Sequence, residues 1–322
     1  MTLRIGMIGP GAMGRSHLAR LRSDVPGAAV VAVSDLDLAR AARVADESGA
    51  VACVDSTSLI TSPQVDAVMI CSAGSAHSTD VITAIEAGKP VFCEKPLAPT
   101  AQECVEIVHA ERERGQRLVT VGFMRRFDAS YQQLRRALRS GAAGAPLIVH
   151  SRHHNPSVPQ HYTRTMSITD TAIHDIDITR WLLGEEIRLV RVDRPRTTRH
   201  RAAHLQDPML LVLTAASGAW VGVEIFVNNQ HSYEVGCEVI AEHATVRLAD
   251  DQPSGLDHNT RFGPAFVSEL RQWVRAVTAG VQDGPTAWDG YAAAAVCDAG
   301  VRALAADETV PVELMERPAL YD

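Results

Sequence analysis

No stretch of the 322 residues approaches the roughly 18 consecutive apolar residues of a membrane-spanning helix. The opening Met1-Thr2-Leu3-Arg4-Ile5-Gly6 runs at once into a strand pattern, without basic leader, apolar core or cleavage site, so no export signal is expected. None of the six cysteines (Cys53, Cys71, Cys93, Cys104, Cys237, Cys297) forms a Cys-x-x-Cys pair, which removes the usual basis for a zinc or redox motif. They read as small buried hydrophobes in a reducing compartment, and the expected location is the cytoplasm. A basic excess is missing as well. The formal net charge is -7, and the densest basic run, Arg194 to Arg201, reads as a solvated loop, so a nucleic-acid surface is excluded. Internal repeats and low-complexity segments are absent. What is present is 46% hydrophobic and 21% charged residues, in a chain long enough for two domains with a core each.

From residue 3 to residue 122 short apolar runs alternate with helical patterns: LRIGMIG and a helix from Ala12, AVVAVSD and a helix from Leu38, DAVMICS and a helix from Ser75, PVFCE and a helix from Thr100, then LVTVG. Runs rich in Val and Ile that do not alternate with polar residues suit strands covered on both faces. A βαβ series of this kind predicts an α/β, doubly wound parallel sheet over residues 1–122. Beyond it the pattern changes. A helix (Tyr131 to Ser140), a strand (Pro146 to His153) and a second helix (Asp170 to Leu183) precede successive strands, two of them joined by a turn at Ser217-Gly218. Residues 123–322 are therefore predicted to form an α+β domain with a mostly antiparallel sheet. Two helices, around Ala265 to Ala279 and Ala287 to Leu304, close it, and the last can pack back on the first domain.

Gly9-Pro10-Gly11-Ala12-Met13-Gly14 follows the first strand and opens a helix. Glycines there permit a tight turn, close approach to a pyrophosphate and helix-strand packing, while the helix N-terminus offers amide donors. Alone the GxGxxG pattern is a plain turn as readily as a binding site. Its position in a βαβ series, with Asp35 closing the second strand about 20 residues on, predicts a dinucleotide. A carboxylate at Asp35 accepts from a ribose 2′-hydroxyl and repels a 2′-phosphate, and Leu36 supplies no cation, so NAD is favoured over NADP.

Lys95, in VFCEKPL, ends a strand on the side where a nicotinamide would lie, and Pro96 restrains it. In the second domain Asp170 and His174 stand four apart, on one face of a helix whose isoleucines, Trp181 and Leu182 place it in the interior. Buried carboxylates without partners are costly, which favours a site over a merely packed histidine. Histidine takes a proton from an alcohol, a carboxylate fixes its tautomer, and an ammonium stabilises a developing alkoxide. His153, His154 and His161 lack a carboxylate or cysteine at ligand spacing, and no metal is expected.

GPGAMG, GKPVFCEKPL, GFMRRFDASY, DTAIHDID and PTAWDGYAAAAV together resemble the glucose-fructose oxidoreductase / inositol dehydrogenase (Gfo/Idh/MocA) family along nearly the whole chain. The resemblance implies a Rossmann domain followed by an open-faced sheet that commonly builds dimers or tetramers. HYTRTMSITDTAIHDIDITRWLL and VEIFVNNQHSYEVGCEVI look like those of the bacterial inositol 2-dehydrogenases, which implies oxidation of myo-inositol to scyllo-inosose with NAD. By the same likeness His174 is the acid/base, Asp170 its partner and Lys95 the hydroxyl-binding cation. Arg125, His153, Asn155 and Tyr233 fall in regions that line the polyol pocket; Arg125 with Arg126 also reads as a solvated pair, and Tyr233 as a packed aromatic. Asn155 departs from the pattern, since inositol dehydrogenases can carry an acid near this point. Ser72 and His77 follow the fourth strand on the nicotinamide side, Glu94 orients Lys95 or meets the ribose, and His17 has only a structural case. Another inositol isomer, an aminocyclitol, a pyranose, or NAD sensing without chemistry are the alternatives.

Overall fold

A computed structural model describes residues 2–248 and 257–322. Its first part runs β1 (Leu3–Ile8), α1 (Ala12–Ser23), β2 (Ala28–Ser34), α2 (Leu38–Ser48), β3 (Val51–Ala52), α3 (Ser56–Thr61), β4 (Ala67–Ile70), α4 (Gly74–Glu86), β5 (Val91–Glu94), α5 (Ala101–Arg114) and β6 (Val119–Gly122). The strands lie in the order β3-β2-β1-β4-β5-β6, every neighbouring pair parallel. Strand order reverses between β1 and β4, the point where an open α/β sheet leaves a crevice at its carboxyl ends. All residues of β4, β5 and β6 are buried, which accounts for their unbroken apolar runs. The sequence reading misses β3 and α3: two exposed strand residues and a six-residue helix are too short to show a period.

The second part comprises α6 (Ala129–Arg139), β7 (Pro146–His154), α7 (Ile173–Leu183), β8 (Ile187–Asp193), β9 (Met209–Ala215), β10 (Trp220–Phe226), β11 (Glu234–Ala241), β12 (Thr245–Arg247), α8 (His258–Thr278), α9 (Ala287–Ala306) and β13 (Val310–Pro311). Its sheet has the order β12-β11-β7-β10-β9-β8-β13. The β9-β10 hairpin is antiparallel as its turn predicts, and one pair, β7 with β10, is parallel. Val149, Ser151 and His153 of β7, like Val221, Val223 and Ile225 of β10, face the covered side and are buried. His150, Arg152 and Glu224, on the alternate positions, are exposed.

Two compact units emerge, Met1–Phe123 with Phe266–Tyr291 and Glu316–Asp322, and Met124–Ala265 with Ala292–Met315. The division falls within α8 and α9. Leu270, Trp273 and Val274 of α8 belong to the core of the first unit with Ile5, Met7, Leu18 and Val33. The last residues are also tied there. Tyr321 is buried and its hydroxyl donates to Glu111 Oε2 (2.6 Å), while Glu111 Oε1 accepts from the amides of Leu118 and Val119. Burial pushes the Glu111 carboxyl up. Tyr321→Phe leaves that buried carboxyl one donor short and is expected to cost about 1–3 kcal/mol. A lower urea midpoint at unchanged slope is the readout.

Candidate active site

The site residues predicted from sequence divide between the units. In the first, β1 delivers the chain to a turn in which Gly9 adopts φ +78°, and a Cβ there would lie 2.4 Å from Ser72 Cα and N. Gly14 lets α1 settle on this turn, since its Cβ would come within 2.5 Å of the Gly9 carbonyl oxygen. At Gly11 a Cβ would meet nothing within 4 Å: the space in front of the helix is open. Gly11 is the N-cap of α1, no side chain caps it, and no acidic residue occupies the first turn, so the amides around Ala12 and Met13 face an anion-compatible end. The buried Ser72 Oγ beside this turn has no partner among the described residues. An open cradle, uncapped amides and a spare hydroxyl fit a pyrophosphate.

Asp35 directly follows β2, is buried and is not alone. The guanidinium of Arg40 donates to both of its oxygens (Nε to Oδ2, 2.8 Å; Nη2 to Oδ1, 2.7 Å), and the Asp37 amide donates to Oδ1 (2.8 Å). Burial alone would raise the carboxyl, but these bonds outweigh it and hold it below its ordinary value. Reading only Leu36 for a cation misses Arg40, which reaches back from the first turn of α2.

The Glu-Lys-Pro turn is braced from both sides. Glu94 is buried, accepts from the Lys95 amide (3.2 Å) and meets His17 Nε2 at 2.6 Å. Its carboxyl is held below the ordinary range: burial opposes this, and the His17 bond and the Lys95 charge overcome it. Gly122 leaves room for that carboxylate, since a Cβ there would crowd it at 3.3 Å. His17, fully buried between the rings of Phe92 and Phe266, is thus the support for Glu94. The signal for it was a histidine on the inner face of α1, three residues after Gly14, where a buried polar partner is required. On the other side His77 presents Nδ1 to the Pro96 carbonyl (2.8 Å) and Nε2 to the Ser72 carbonyl (3.0 Å). Both ring nitrogens face backbone oxygens in a buried position, which makes His77 a clamp between the ends of β4 and β5 rather than a direct cofactor contact. Lys95 itself is half-buried.

In the second unit the predicted Asp170–Leu183 helix is two structures. Ser167–Ala172 forms a π-helical turn and Ile173–Leu183 the α-helix α7. Asp170 therefore sits in the wider turn and His174 in the α-helix that follows; a residue pattern cannot register the change of pitch. Such turns occur mostly as single insertions in helices, often at functional positions.

The acidic residues of α7 find basic partners. Arg125 Nη1 donates to Asp175 Oδ1 (2.7 Å), and the Arg126 fork holds Asp177, with Nε to Oδ2 at 2.9 Å. The two arginines are buried, so they are not a solvated pair. Ser151 donates to Asp175 Oδ1 (2.7 Å), and His153 Nδ1 lies 2.9 Å from Arg125 Nη2 and 3.0 Å from Asp175 Oδ2. With its hydrogen on Nδ1, His153 donates to Asp175 and keeps Nε2 as an acceptor. Burial opposes the Asp175 charge, yet the Arg125 charge and these hydrogen bonds hold its carboxyl well below the usual carboxylate range. His153 in turn meets the His174 ring (6.1 Å between centroids) and stands edge-on to Tyr233 (5.6 Å). Burial pushes the Tyr233 hydroxyl up to about 12, which keeps it a neutral donor. Asn155 follows β7, its amide bonded to the Phe226 carbonyl (2.9 Å). His154 points to the other face, to Glu224 (2.7 Å). Arg125, His153, Tyr233 and His174 are thus one cluster.

The family model of the GFO/IDH/MocA oxidoreductases, an oxidoreductase family with an NAD-binding Rossmann fold, matches residues 3–123, and that of the GFO/IDH/MocA C-terminal domain matches residues 131–247. Inositol 2-dehydrogenase 3 of Saccharopolyspora erythraea is 48% identical over all of this chain and 98% of its own length. Inositol 2-dehydrogenase of Burkholderia cenocepacia is 45% identical, over 100% of this chain and 99% of its own. The crystal structure of myo-inositol dehydrogenase from Lactobacillus casei in complex with NAD(H) and myo-inositol superposes with a TM-score of 0.97 at 36% identity, covering both chains completely.

Proposed function

The chain belongs to the GFO/IDH/MocA oxidoreductase family, and on that premise we propose that it is an NAD-dependent dehydrogenase of a cyclitol, oxidising myo-inositol to scyllo-inosose. The observation that carries this is that the likeness to inositol dehydrogenases spans both units at full length. When bound, NAD takes up the hydride leaving the carbinol carbon. Gly9, Gly11, Ala12, Met13 and Gly14 receive its pyrophosphate, Asp35 its adenosine ribose, and Ser72, Glu94 and Lys95 belong to the nicotinamide side.

His174 accepts the hydroxyl proton, Asp170 sets its orientation, and the Lys95 ammonium stabilises negative charge as it grows on the oxygen. The burial of Glu94, His17 and His77 behind Lys95 supports this role, because a fixed cation costs little reorganisation when the charge appears. Arg125, His153, Asn155 and Tyr233 read the remaining hydroxyls, with Asp175 holding the His153 ring. We assign residues 1–122 the cofactor and residues 123–322 the polyol and self-association, with α8 and α9 contributing to both units. A homo-oligomer, dimer or tetramer, in the cytoplasm fits the chain. The partly exposed row Thr214, Trp220, Ile148 and Ile240 runs across the side of the sheet opposite His153, and no helix among the described residues is long and apolar enough to cross a membrane.

NADH formation measured over myo-, scyllo- and D-chiro-inositol, glucose and an aminocyclitol tests the reading. The kcat/KM for myo-inositol should exceed the others by about tenfold or more, the discrimination that hydroxyl-reading sites reach readily. A faster polyol would displace the substrate, and NAD binding without any turnover would leave a sensor.

A further inference from the structure

We propose that Arg40 sets how strictly the ribose end of the cofactor site separates NAD from NADP, a role that rests on Asp35 being the ribose acceptor. An isolated carboxylate would repel a 2′-phosphate and offer up to four lone-pair sites to the ribose. Here the two bonds from Arg40 and one from the Asp37 amide leave a single site, on Oδ2. One ribose hydroxyl can be accepted there. The charge is also compensated, because the Arg40 cation lies at 2.7 Å, and its side chain is 41% exposed where that of Asp35 is only 5%.

An incoming 2′-phosphate therefore meets an ion pair whose accessible member is the cation. Of the five guanidinium N–H groups, three are not spent on Asp35. The nearest other carboxylate, Asp37, stands 4.0 Å from Nη1 and caps α2 by accepting from the Arg40 backbone amide, not from its side chain. Arg40 thus weakens the discrimination that Asp35 would exert alone, and it becomes a phosphate ligand when Asp35 is removed. NADP is a secondary cofactor of this chain rather than a rejected one.

Fluorescence titration of NADH and NADPH, without polyol, tests this on the wild type, Arg40→Gln, Asp35→Ser and the double variant. Arg40→Gln should widen the preference for NADH over NADPH by about tenfold, the scale of one charge-assisted hydrogen bond. Asp35→Ser should tighten NADPH by about tenfold or more, and the double variant should lose that gain. Because the α2 cap uses the Arg40 backbone, Arg40→Gln should still fold, with an unfolding midpoint lowered only by the loss of the two bonds to Asp35, and the titrations are made well below that midpoint. An unchanged NADH/NADPH ratio in Arg40→Gln, or a gain that survives in the double variant, would overturn the role of Arg40. Failure of the wild type to bind either dinucleotide would be a different result, removing the cofactor reading on which the role stands.

Discussion

His174→Ala is expected to lower kcat by roughly 10²–10⁴-fold, the range supplied by a positioned general base, while NADH affinity stays within about threefold. The asymmetry follows from placement. His174 belongs to α7, in the unit that lacks the glycine turn and Asp35, and its neighbours are His153 and, through it, Asp175 and Tyr233. Truncation removes the proton acceptor and leaves the pyrophosphate cradle as it was. Equal losses in kcat and NADH affinity would move His174 out of proton transfer and into cofactor binding.

Asp175→Asn is expected to cost stability on a scale no surface change reaches, about 3–5 kcal/mol, because it strands the buried Arg125 cation. Asp175 is fully buried and serves Arg125, His153 and Ser151 together. Its folded pKa is depressed. Its stabilising contribution is therefore complete above the ordinary carboxylate value of about 3.9 and is lost as pH falls from there toward the folded value. Urea unfolding from neutral to acid pH should show a wild type well above the variant at pH 7 and a gap that closes below about pH 4. A gap independent of pH would mean that shape, not charge, is what Asp175 supplies.

Much of the site was legible because its signals are local. The glycine turn, the Glu-Lys-Pro strand end and the Asp-x-x-x-His spacing each depend on residues a few places apart, and Asp35 on its place at the end of the second strand. What the residue pattern did not show is tertiary or a matter of pitch. Arg125 and Arg126 pair with Asp175 and Asp177 about fifty residues away, so the same letters read as solvated arginines and costly buried acids until the units fold. The parallel β7-β10 pair breaks a rule drawn from consecutive hairpins, because neighbours in a sheet need not be neighbours in sequence. The π turn at Ser167–Ala172 leaves the apolar pattern of the helix almost unaltered while changing its register. His17 and Arg40 were in plain view, but their meaning lies in the carboxylates they meet.

The most direct test of the central claim uses myo-inositol carrying deuterium at C2, turned over with NAD, with the reduced cofactor examined by mass spectrometry. Transfer of the label into NADH, with scyllo-inosose as the product, is the expected result. NADH formed without the label, or label retained in the polyol while NADH accumulates, would contradict oxidation at that carbon.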